Sequence, residues 1–94
     1  MIVSLDHLKQ HLRIQRDDED DLLMSLIMQA QAAAEDFCLT SFPNDAPEPV
    51  RLAVILMASH YYEHRDASDR FAIRAMRMAF DSLLWPYRDI SRLI

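Results

Sequence analysis

Glycine is absent from all 94 residues, cysteine occurs once, and no long apolar run is present. The lack of glycine removes loops that cradle phosphates by close backbone approach, so neither a P-loop nor the dinucleotide fingerprint can be written. Cys38 alone cannot close an intramolecular disulfide. No charged segment followed by an apolar one opens the chain in the manner of a secretory signal, and it reads as a cytosolic product. The longest near-apolar stretch, 52–58, is far shorter than the roughly 20 residues of a membrane helix. A net charge of −5 works against general electrostatic adhesion to nucleic acid, so any DNA contact must be local.

What is present favours folding. Hydrophobic residues at 51% and charged residues at 27% exclude both a disordered chain and a polybasic tail. A chain this short holds one domain, expected over 1–94, and can bury close to two thirds of its surface, enough for a modest core.

The periodicity predicts an all-α domain of four helices, with a long second helix and a buried third. Ser4 stands at an N-cap position after an extended opening, and Leu5, Leu8 and Leu12 place one stripe on a helix from 5 to about 13. His7 and His11 fall on another face and read as solvated. The acids Asp17 to Asp21 then precede a long apolar periodicity. Aspartates there are expected to cap free amides and to complement the helix dipole. They lack the glycine, the ligand spacing and the distant glutamate of a calcium loop.

The second helix is predicted over about 18–39. Its stripe is Leu22, Leu23, Leu26, Ile27, Ala30, Ala33, Ala34, Phe37 and Cys38, and its small middle suits close packing. Met24 and Met28 lie off that stripe, either edging the core or serving a contact between molecules. Cys38 has no second cysteine and no activating base in view, so it reads as structural.

Three prolines mark a loop over 40–49, and Pro49 suits the first turn of the third helix. That helix is apolar nearly all round from Val50 to Ala58 except at Arg51, as expected of a central element. A turn follows over 66–70, with Ser68 or Asp69 as a possible cap. The fourth helix carries Phe71, Ile73, Met76, Phe80, Leu83 and Leu84 as its apolar positions, flanked by Arg70, Arg74 and Arg77 and stopped by Pro86. The tail keeps Ile90, Leu93 and Ile94, which a lone monomer has little reason to expose together.

Charge divides along the chain. Residues 1–48 carry ten acids against three Lys/Arg, while 49–94 carry five acids against seven Arg. Flanks of opposite sign favour a heterologous contact between copies, and such contacts close into rings when the rotation allows. Solvated helix faces would show the same division.

One short motif points elsewhere. His60, Tyr61, Tyr62, Glu63 and His64 match the H-x-x-E-H pattern of inverted zinc peptidases, in which two histidines share the metal and the glutamate acts as base on its water. A third ligand is missing from the pattern. The residues after His64 hold no His, Glu or Cys, and no second lobe exists to form a cleft. A small metal-dependent hydrolase using His60, Glu63 and His64 is therefore one alternative reading. A DNA-binding helical module using Arg70, Arg74 and Arg77 is another. No other catalytic pattern stands out, so the expectation is a protein that is not an enzyme, with no cofactor and no bound metal.

Read in order, the segments VSLDHLKQHLRI, DDEDDLLMSLIMQAQAAAEDF, PEPVRLAVILMASHYYEHRD and SLLWPYRD resemble the head-tail connector proteins of tailed phages, also called adaptor, head-completion or DNA-packaging proteins. The residues that carry the resemblance are His11, Leu12, Arg13 and Ile14; Asp17 through Leu22; Pro49, Val50, His60, Tyr62 and Glu63; and Leu83, Leu84, Pro86, Tyr87 and Arg88. Related proteins often have a short stretch with proline or glycine before the Leu-Leu-x-Pro-Tyr-Arg ending, whereas 71–80 here reads as a continuous arginine-rich helix.

The resemblance implies a virion assembly protein of a phage or prophage, made in the host cytoplasm and lodged at the head-tail junction. It would form a homo-oligomeric ring on the portal protein and meet a downstream stopper or tail-completion protein. DNA would pass through its channel without sequence-specific binding, and no membrane is involved. Candidate residues for portal docking or a subunit interface are Trp85, Tyr87, Arg88, Ile90, Leu93 and Ile94. Those for a charged ring interface are Asp17, Asp18, Glu19, Asp20, Arg70, Arg74 and Arg77.

Overall fold

The computed structural model describes residues 1–64 and 70–89, and these are helical throughout their regular parts. Four helices, α1 (Leu5–Leu12), α2 (Asp20–Cys38), α3 (Glu48–Glu63) and α4 (Arg70–Leu84), are followed by a single 3-10 turn, Trp85–Tyr87. The expected turn cap at Ser68 or Asp69, and the apolar tail residues Ile90, Leu93 and Ile94, lie outside the described residues.

Several helix ends have an identifiable cause. Ser4 Oγ accepts the His7 amide at 3.1 Å, satisfying one of the orphan donors that open α1. Both α1 and α2 then end on left-handed residues, Arg13 at φ 59° and Leu39 at φ 60°. Glycine usually fills that position because it has no Cβ to clash. A chain without glycine pays with L-residues there, at about 1–2 kcal/mol each. The cap amides still find acceptors: Arg13 N–H donates to Gln10 O and Lys9 O, and Leu39 N–H to Glu35 O. Pro49 sits in the first turn of α3, and α4 stops at Leu84, two residues before Pro86.

The start of α2 departs from the capping expectation. Glu19 is its N-cap and makes no side-chain cap bond. The nearby carboxylates are used across the fold instead, because Lys9 on α1 reaches both Asp17 and Asp20 at 2.8 Å. A cation between two carboxylates offers a stronger, charge-assisted partner than a neutral amide.

The core lies where α2, α3 and α4 meet. Leu23, Leu26, Ile27, Ala30, Ala34 and Cys38 of α2 pack with Val50, Ala53, Val54, Met57 and Ala58 of α3 and with Phe80 and Leu84 of α4. The alanines of both helices allow the close approach that the sequence suggested. Ile2 and Val3, preceding α1, are fully part of this core, as is Leu8. Three of the predicted apolar positions, Leu22, Leu52 and Phe71, face solvent instead, Leu52 although α3 is the central helix.

Side-chain contacts fix the directions of the helices. Tyr62, near the end of α3, donates to Glu19 at the start of α2 at 2.7 Å, so these two helices are antiparallel. Cys38 Sγ lies 3.7 Å from Leu84 O, and the Phe37 and Phe80 rings meet edge to face at 6.3 Å, so α2 and α4 end together and run parallel. α3 lies between them, packed against both, and α1 packs against α2 and α3. The result is a slab with extents of 45 × 31 × 17 Å.

Candidate assembly surfaces

Arginine anchors the loop that joins α2 to α3. Arg51, the one polar break in the apolar run of α3, donates to Ile2 O at 2.9 Å, to Ala46 O at 3.0 Å and to Asn44 O. The planar guanidinium offers five donors in a fixed fork, so a single residue can tie the opening strand-like segment and the loop to the helix. The Ile2 amide in turn donates to Gln31 Oε1 at 3.0 Å. Phe42 N–H donates to Glu35 Oε2 at 2.8 Å, which closes the other side of the loop.

The proposed docking end is built by the same logic. Arg88 donates to Phe37 O at 2.8 Å, and the Asp89 amide donates to Cys38 O at 2.7 Å, so the segment after α4 satisfies the last carbonyls of α2. The Arg88 guanidinium also lies over Phe37 and Trp85, 4.8 and 5.1 Å from the ring centroids. Tyr87 is half-buried against the core, whereas Trp85 is 63% exposed. Arg88 and Tyr87 are thus engaged within the molecule, and Trp85 is presented outward. Burial pushes the Cys38 thiol above its ordinary value, partly opposed by the charge of Arg88.

The acidic cluster is largely engaged as well. Besides the Lys9 contacts, Arg16 lies 3.7 Å from both Asp18 and Glu19. Hydrogen bonding to Lys9 holds Asp17 below the usual carboxylate range and raises Lys9. On α4, Arg77 pairs with Asp81 at 3.3 Å and lies over the Phe80 ring. Arg70 and Arg74 are exposed, with no ion pair among the described residues. Both charged sets sit at one end of the slab. The start of α2 is fastened to the end of α3 by the Tyr62–Glu19 bond, and α4 begins only seven residues beyond that same end.

The zinc-like pattern takes a different form in space. The rings of His60 and His64 are stacked, 4.6 Å between centroids and 29° between planes, which presents π faces to each other rather than converging nitrogen lone pairs. With His11, Ser59, Glu63 and Met76 they border a cleft of about 250 Å³ between α1, α3 and α4. No group of three metal-ligating side chains occurs among the described residues. Glu63 is exposed and pairs with no arginine of α4 among those residues.

The sequence reading missed a second stripe on α4. Phe71, Met78 and Trp85 are spaced seven apart and are 83%, 65% and 63% exposed. Seven residues bring a helix back to within about 20° of the same direction, so the three form one ridge. The core stripe of Met76, Phe80, Leu83 and Leu84 lies on the other side. The signal was available in the seven-residue spacing, which the three-and-four search for a core face passes over.

A phage gp6-like head-tail connector protein family matches residues 2–92. The chain belongs to that family. Its place in a family of structural connectors gives it a phage structural assembly role and agrees with a protein that is not an enzyme. The connector matches no curated protein and no solved structure at a significant level. Its α4 is an unbroken helix over Arg70–Leu84, as the arginine-rich periodicity predicted. No helix among the described residues is long and apolar enough to cross a membrane.

Proposed function

We propose that this connector assembles into a homo-oligomeric ring on the portal vertex and joins the DNA-filled head to the tail, extending the DNA channel. The family match over 2–92 carries the reading. In it the chain acts as one domain, 1–94, made in the host cytoplasm and retained in the virion at the head-tail junction. Its partners are further copies of itself, the portal protein and a downstream stopper or tail-completion protein.

The physical chemistry supports this reading. A thin slab with different chemistry on its two flanks is suited to heterologous contacts, in which one face of each copy meets another face of the next. A net charge of −5 suits a conduit through which DNA slides, since a strongly basic lumen would hold phosphates through counterion release. Trp85 and the tail residues Ile90, Leu93 and Ile94 offer apolar groups for docking on the portal or for the contact between copies.

The test is assembly itself. The full chain, mixed with purified portal, is expected to form a ring visible by electron microscopy and native mass measurement, and virions are expected to contain it. Particles made without its gene should fill with DNA yet fail to join tails. Normal joining and ejection by such particles would refute the reading.

A further inference from the structure

We infer that neighbouring copies in the ring meet through two specific helix faces, the outer ridge of α4 on one copy and the outer face of α2 on the next. This rests on the ring reading and adds which surfaces make it. The ridge of Phe71, Met78 and Trp85 runs about 20 Å along α4. Three large apolar side chains in line, two on α4 and Trp85 on the 3-10 turn that continues it, form a patch of the kind that soluble proteins keep for partners. Exposed Ala75 and Ser82 lie between them and let a second helix approach closely.

The occupant is set by charge and direction. The exposed side of α2 presents Asp21, Leu22, Ser25, Met28, Ala32 and Asp36, two of them apolar groups 37% and 59% exposed. α2 contains no Lys or Arg at all. α4 brings Arg70 and Arg74 beside its ridge, both without an ion pair among the described residues. One face is apolar with acids, and the other is apolar with bases.

Register follows from topology. α2 and α4 are parallel and flank α3, so a rotation about an axis along the bundle carries α2 of one copy beside α4 of the next without reversing either. Because α2 and α4 end together and α2 is four residues longer, Arg70 lies level with Met24, about one turn from Asp20 and Asp21, while Phe71 and Met78 lie level with Ser25 and Ala32 on the exposed side of α2. Because the two faces differ, the contact is head-to-tail and propagates around a ring.

Cross-linking tests the pairing. Gln29, next to Met28, and Ala75 are exposed and each lies nine residues before the end of its helix, so they should be near one another across the contact. Chains carrying Gln29→Cys and chains carrying Ala75→Cys, mixed and assembled on the portal, should be joined by a short bis-maleimide, whereas each variant alone should give no dimer. The native Cys38 is buried and serves as the internal control. Met78→Asp should raise the concentration needed for assembly about tenfold or more, with helicity and thermal midpoint unchanged.

A ring that forms without the mixed cross-link overturns the pairing of faces, whatever Met78→Asp does. So does cross-linking of the Ala75→Cys variant to the portal subunit instead. Failure of the unmodified chain to oligomerise, alone and with portal, overturns the ring reading and this inference with it.

Discussion

The phenolic hydroxyl of Tyr62 donates to Glu19 Oε1 at 2.7 Å across 43 residues of sequence, fastening the end of the central helix to the start of the longest one. Glu19 is also 3.7 Å from Arg16, so its carboxylate joins α2 and α3 to the segment that leaves α1. A part-buried bond to a charged acceptor contributes more than a neutral one. Tyr62→Phe should cost about 1.5–3 kcal/mol in urea unfolding. In a double-mutant cycle with Glu19→Ala, which removes the acceptor, the pair should show clear coupling, and additive losses would mean that the bond contributes nothing of its own.

Arg51 should be the most sensitive charged position. Arg51→Met keeps the length of the side chain but leaves the carbonyls of Ile2, Ala46 and Asn44 without their donor. A loss of about 2–4 kcal/mol is expected. Arg51→Lys should recover only part of it, because a point charge cannot reproduce the planar fork. Thermal unfolding read by circular dichroism measures both.

At Arg13 the sequence is improvable. The residue is exposed and left-handed at φ 59°, so Arg13→Gly removes a steric cost without removing a buried contact. The gain, offset by glycine's greater freedom in the unfolded chain, should be about 0.5–1 kcal/mol. Arg13→Val should move stability the other way, since a branched Cβ tolerates that backbone region worst.

Acid and alkali should act on Lys9 and Asp17 in opposite senses. Asp17 titrates below its ordinary 3.8 in the folded chain, so its contribution is present above 3.8 and is lost as pH falls through the lowered native value. Lys9 titrates above its ordinary 10.5, so its contribution is present below 10.5 and is lost as pH rises through the raised native value. Urea midpoints followed against pH should fall less steeply at both extremes in Lys9→Met than in the unmodified chain. Parallel curves would show that the pair is energetically silent.

Zinc should not be retained in stoichiometric amount after equilibration and desalting, and His60→Ala should leave the metal content unchanged. Stacked imidazoles at 4.6 Å would have to rotate apart before sharing an ion. One equivalent of zinc, lost in His60→Ala, would revive the hydrolase alternative.

Local signals were legible where one residue and its neighbours settle the matter. The Ser4 cap, the proline in the first turn of α3 and the stop before Pro86 depend on hydrogen bonds and sterics within a few residues. The core stripe of α2 was legible through its period, apart from Leu22, whose position at the margin depends on where the neighbouring helices end. The charged surfaces were harder to read. Asp17 and Asp20 looked like caps and became ligands of Lys9, because a partner from another helix outcompeted the local amides.

The sequence by itself determined that this chain would be helical, where its helices would begin and end, and which family it resembled, because caps, prolines and apolar periods act over a single turn. Only the tertiary structure decided that Ile2 and Val3 belong to the core and that Arg51 holds three carbonyls. It also turned Arg88 inward and left Phe71, Met78 and Trp85 outside. Those outcomes depend on which apolar stripe the neighbouring helices can cover, and a helix with two stripes does not reveal that choice along its own length.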